Sequence, residues 1–164
     1  MLTSLAWLFP YLLFLHVLGA IAAFGPSFAF PIIGAMGGKE PQHGNFATRV
    51  SETISGRLVY PIGITLPITG ALIILVKGID LSSRAYWWLG IAIVLYIIAY
   101  GYSFFSQRKT VERIIEITSG PPPAGATGPP PELPGLVKRV QRGGMLLTVL
   151  LLAIIFLMVV KPQF

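Results

Sequence analysis

Apolar positions along the chain gather into four long runs, and polar positions are confined to the stretches between them. The runs cover residues 5–35, 58–76, 85–106 and 143–160, and the first holds no charged residue at all. A helix crossing the hydrocarbon of a bilayer needs about 20 apolar residues, with a range of about 17 to 25. The last three runs fit that range. The first is longer and contains Pro10, Gly25-Pro26 and Pro31, which predicts one tilted helix kinked near Gly25-Pro26, or a helix followed by a short broken turn. A transmembrane β-barrel would alternate apolar and polar residues, whereas these runs are apolar on every face. The pattern therefore predicts an all-α membrane protein, a four-transmembrane-helix bundle forming a single domain over 1–164.

Composition agrees. Hydrophobic residues make up 54% of the 164 positions and charged residues 11%, against about 25% charged in an average soluble domain. There are no cysteines, which excludes a disulfide scaffold and thiolate metal sites. The net charge of +6 is distributed around the apolar runs, where a membrane surface and not a nucleic acid accounts for it. Lys39, Arg49, Arg57, Arg108, Lys109, Arg113, Lys138, Arg139 and Arg142 fall on one side, and Lys77, Arg84 and Lys161 on the other. The positive-inside bias places the larger set in the cytoplasm and both termini on the outer side. The expected location is a bacterial inner (plasma) membrane. A signal peptide would carry Lys or Arg ahead of its apolar core; none precedes Ala20-Ile21-Ala22, so the first run is read as a mature helix.

The loop between helices 3 and 4 has two parts. Residues 107–118 can prolong helix 3, with Val111, Ile114, Ile115 and Thr118 as a narrow apolar stripe and Arg108–Glu112 as an i,i+4 pair. That extension lies on the lipid surface, on the bundle or against a partner. A long proline-rich cytoplasmic linker, residues 119–135, follows. Its 120–131 core has six prolines in twelve residues and favours an extended spacer.

One ionisable residue stands deep inside a run. His16 lies eleven residues past Leu5, which is about 16 Å along a helix and near the bilayer middle. Such a residue is a functional candidate by default. Gly19, Ala20 and Ala23 share its helix face, and small residues let another helix approach. Three readings follow: an interhelical hydrogen bond to a Tyr, Thr or carbonyl; an axial ligand to haem or a metal, with the small residues leaving room for a macrocycle; or a proton relay. His43 is the one other histidine and falls in a loop, so a haem ligated by His16 would be singly ligated, paired with a displaced Met, or shared with another chain.

In the second run, Gly56, Gly63 and Gly70 recur every seven residues, and Pro61 and Pro67 interrupt the backbone ladder. Close packing of a kinked helix is one reading, and an ion or solute site on the freed carbonyls the other. Tyr96 and Tyr100 in the third run are i,i+4 neighbours. Tyr96 is a candidate partner for His16 or lining for a ligand pocket, and Tyr100 and Tyr102 suit an interface belt. The fourth run is almost purely aliphatic and reads as a lipid-facing wall. No run contains an acidic residue, and no nucleophilic triad, phosphate loop or dinucleotide fingerprint occurs.

Leu13-Phe14-Leu15-His16-Val17-Leu18-Gly19-Ala20, together with Arg57-Leu58-Val59-Tyr60-Pro61 and Leu66-Pro67-Ile68-Thr69-Gly70, resembles small four-helix bacterial membrane proteins of unknown function. Those look distantly similar to the copper-resistance D membrane proteins and to the haem-b membrane protoporphyrinogen oxidase. The resemblance implies a four-helix bundle and matches His16 to a first-helix histidine. The leading expectation is a membrane protein without catalytic machinery, a packing or accessory component of a larger membrane complex or a self-associating homo-oligomer. The alternatives are a haem-b-binding redox or haem-handling protein with His16 as axial ligand, and a metal or small-solute conduit.

Overall fold

The structure is a computed structural model that describes residues 2–120 and 128–162. Four long helices dominate it: α1 (Leu5–Lys39), α2 (Pro41–Lys77), α3 (Arg84–Ser119) and α4 (Leu133–Val160). All four are long and apolar enough to cross a membrane, and no strand occurs among the described residues. Helices are the expected answer to this composition, because a backbone in hydrocarbon must satisfy its own N–H and C=O groups. No large side chain is fully buried among the described residues, while Phe14, Ile21, Ile68, Ile97 and Phe156 point outward. That is the surface of a bundle solvated by lipid.

The helices pair as two antiparallel hairpins. In the first, Phe9–Phe24 of α1 lies along Tyr60–Lys77 of α2. In the second, Trp87–Tyr102 of α3 lies along α4, where Trp88, Leu89, Ala92 and Leu157 form a buried cluster. The aliphatic fourth run is thus not only a wall: its Leu151, Ile154 and Leu157 recur at helical spacing and are buried.

Proline placement explains most of the irregularities. Pro10, Pro31, Pro61 and Pro134 sit in the first turns of the regular α-helical segments Phe9–Phe24, Phe30–Lys39, Tyr60–Lys77 and Leu133–Val160. Gly25–Phe28 is a 3-10 turn joining the two straight parts of α1, at the predicted kink. A π-helical turn, Ser55–Val59, stands immediately ahead of Pro61, and a second, Ser103–Gln107, interrupts α3. Pro67 lies in the interior of the regular segment Tyr60–Lys77. Gly78, at φ 61°, ends α2 with Ile79 N–H donating to Ile74 O at 3.0 Å and Gly78 N–H to Leu75 O at 3.2 Å, a Schellman cap.

The apolar runs are only the lipid-facing parts of these helices. Three of them have 35, 37 and 36 residues, which is about 55 Å each, against about 30 Å of hydrocarbon. The surplus projects at the end that carries most of the basic residues. There α2 begins at Pro41 and α4 at Leu133, well before the apolar runs at 58 and 143. Polar contacts hold these extensions sideways. Asn45 Nδ2 donates to Thr118 Oγ1 at 2.8 Å and to Ser119 Oγ at 3.1 Å. Arg108 bonds Glu112 at 2.8 Å and approaches Glu52 of α2 at 3.4 Å. Gln107 Nε2 donates to Val140 O at 2.9 Å. Ile114, from the expected stripe, is buried against the bundle. Residues 121–127 of the proline-rich linker lie outside the described residues; helix resumes at Leu133, inside its expected 119–135 bounds.

Candidate functional site

His16 is half-buried between α1 and α2, and its Nδ1 lies 2.8 Å from Thr69 Oγ1. The Thr69 hydroxyl already directs its single proton back along its own helix, 2.9 Å from Thr65 O and 3.1 Å from Leu66 O. Its oxygen is therefore the acceptor, and His16 Nδ1–H the donor. In that tautomer the ring's lone pair is on Nε2.

The small residues around the ring are used for packing. A methyl group on Gly19 would stand 3.3 Å from Leu66 Cδ2 and 3.4 Å from Thr65 Oγ1, and one on Gly70 would stand 3.5 Å from His16 Cε1. Ala23 is completely buried and Ala20 half-buried. The face predicted to leave room for a flat ligand is filled by α2 instead.

Tyr96 is not the partner of His16. Its hydroxyl donates to Gly63 O at 2.6 Å. Gly63 stands four residues before Pro67, so its carbonyl is the one that Pro67, lacking an N–H, leaves without an intrahelical donor. Tyr96 supplies the missing proton from another helix. The same face continues downward. Tyr100 Oη donates to Tyr60 O at 3.1 Å, and Tyr60 Oη donates to Ser103 O at 3.3 Å, where the π turn of α3 begins. Tyr96, Tyr100 and Phe104 stack at 5.8 and 6.3 Å between successive centroids. Gly63, one of the heptad glycines of α2, makes this possible: Tyr100 Cε2 lies 2.8 Å from where a Gly63 Cβ would be. Tyr100 thus ties the two hairpins together inside the bundle, where an interface belt was expected.

The second histidine and two methionines lie away from His16. His43 lies 3.8 Å from Glu40 at the basic end, and Met36 and Met145 are exposed. No group of three His, Cys, Asp or Glu residues able to hold a metal occurs among the described residues. Sequence reasoning placed Thr69 only within a class of partners and missed the pairing of Tyr96 with Gly63. Its signal was present: a glycine four positions before an internal proline offers an open, unshielded carbonyl.

Four membrane-length helices, joined by hydrogen bonds from intramembrane side chains, define a polytopic integral membrane bundle. The family model described as "Predicted integral membrane protein (DUF2269)" matches residues 10–162. The chain belongs to that family, whose function is unknown. No curated protein and no solved structure matches it.

Proposed function

We propose that the protein is a non-catalytic packing or accessory component of a membrane assembly, or a self-associating bundle, in which intramembrane polar groups serve to lock helices together. One observation carries this reading: the imidazole and the two central tyrosines each spend a donor on a neighbouring helix, at Thr69, Gly63 O and Tyr60 O. The carbonyl freed by Pro67 is taken by Tyr96, which removes the group a solute conduit would have used. Lipid is the immediate partner, and a second copy or a larger complex would cover part of the apolar surface. The test is paired. His16→Ala and Thr69→Val should each lower bundle stability, by about 0.6 and at most about 1.7 kcal/mol, and the double variant by no more than the larger single loss. A purified protein turning over a redox substrate on its own would overturn the reading.

A second reading rests on Nε2 of His16. An imidazole whose Nδ1–H is held by a hydrogen bond presents Nε2 as a ligand would. The donor fits haem b or a single metal ion. The surroundings of one chain do not fit a macrocycle, because Leu66 and Thr65 close on Gly19 and Ala23 is completely buried. Walls from a second chain would be required. A Soret band in protein from its native membrane, abolished by His16→Ala, would establish this reading in place of the first; a colourless preparation would end it.

A further inference from the structure

Six acidic residues occur in the chain, and each described one already has a partner. Glu52 and Glu112 meet Arg108, Glu116 and Glu132 meet Arg113, Glu40 meets His43, and Asp80 is bonded by Ser82. Three cations on one face of α4 are left without an acidic partner: Lys138, Arg139 and Arg142. They line an open groove of about 430 Å³ together with Tyr102, Gly143 and Leu146. By sequence, residues 121–127 add no charge of either sign.

The groove lies at a defined depth. Arg142 immediately precedes the fourth apolar run, and Lys138 is four residues further out, about 6 Å along the helix. The polar layer on each side of the hydrocarbon is about 5–7 Å thick. All three cations therefore fall within the headgroup layer. Leu146 lies one turn deeper, among the acyl chains. The Tyr102 hydroxyl sits at the rim, 2.6 Å from where a Cβ on Gly143 would be and beside Gln107 Oε1, so glycine at 143 lets both α3 side chains close on α4.

We propose that this groove is a binding site for the headgroup of an anionic phospholipid. Lys138, Arg139 and Arg142 hold phosphate oxygens, Tyr102 Oη donates at the rim, and Leu146 contacts an acyl chain. Basic pockets between transmembrane helices at the headgroup level recognise lipids by this chemistry. The site is independent of His16 and of the function proposed above.

The experiment is lipid retention by the full-length protein in native mass spectrometry, with phosphatidylglycerol competing against phosphatidylcholine. Each basic residue near the surface is worth about fivefold in affinity for anionic lipid. The Lys138→Gln/Arg139→Gln/Arg142→Gln variant should lose at least about tenfold of the phosphatidylglycerol preference. A Lys39→Gln/Arg49→Gln/Arg57→Gln variant removes the same charge at the same end and should keep most of it. Arg139→Gln and Arg142→Gln alone, each lowering retention about fivefold, carry the test if the triple variant fails to fold. Equal losses in the two triple variants, or no preference in the parent protein, would overturn the site. Displacement of the lipid by millimolar inorganic pyrophosphate would also overturn it, by assigning the groove to a soluble phosphate.

Discussion

Replacing Tyr96 by Phe removes one oxygen and leaves the ring in its stack. The consequence follows from Pro67. Intramembrane hydrogen bonds average only about 0.6 kcal/mol, and an ordinary helical carbonyl that loses an interhelical donor keeps its i+4 N–H. Gly63 O has no such reserve, because residue 67 is proline and the 2.6 Å bond from Tyr96 is its donor from outside the helix. A buried acceptor left unsatisfied costs about 1–3 kcal/mol. Tyr96→Phe should therefore destabilise the bundle by about 1–2 kcal/mol. In a Pro67→Ala background the helix regains an N–H for Gly63 O, and the same substitution should cost about 0.6 kcal/mol or less. Unfolding free energies from steric trapping in bicelles, measured for the four members of this cycle, give the coupling directly. Equal costs of Tyr96→Phe in the two backgrounds would refute the reasoning and leave Tyr96 an ordinary packing residue.

Other outcomes follow from the same geometry. Gly63→Ala would place a methyl 2.8 Å from Tyr100 Cε2 and force the ring stack to shift, costing about 1–3 kcal/mol; Gly56→Ala meets nothing within 4 Å and should be neutral or slightly stabilising in the same assay. In the loop after α2, hydrogen bonds from the Ser82 hydroxyl and backbone N–H hold the Asp80 carboxyl below its ordinary pKa of 3.8. The turn is therefore held at neutral pH and released only as pH falls through that depressed value; the Ser82 amide resonance should titrate with a midpoint below 3.8 and lose its pH response in Asp80→Asn.

How much of this was legible beforehand depended on which force set each feature. The four crossings were plain because lipid demands long apolar helices, and the kink at Gly25-Pro26 because proline has no alternative there. The extension of α3 was visible in the spacing of Val111, Ile114 and Ile115. The early starts of α2 and α4 were hidden, since Gly44–Ile54 and the first turns of α4 are polar segments that each fold against the extension of α3; Asn45 reaching Thr118 is a tertiary fact. His16 was conspicuous as an imidazole in oil, but its partner depends on the register between α1 and α2. That register puts His16 over Gly70 and beside Thr69, while Tyr96 stands seven residues lower on α2, at Gly63. Small residues beside His16 equally permit a ligand slot or a close helix, and only packing shows that Leu66 and Thr65 fill the space.

The central claim is that the intramembrane imidazole is a clasp between two helices, with its Nδ1–H given to Thr69. Solid-state nitrogen-15 NMR of ring-labelled protein in lipid bilayers, in which His43 is replaced by Gln so that one imidazole remains, reads this directly. The expected spectrum has Nδ1 protonated and hydrogen-bonded, Nε2 carrying the lone pair, and a shift of the Nδ1 signal in Thr69→Val. A ring protonated at Nε2, or a spectrum indifferent to Thr69→Val, would contradict it.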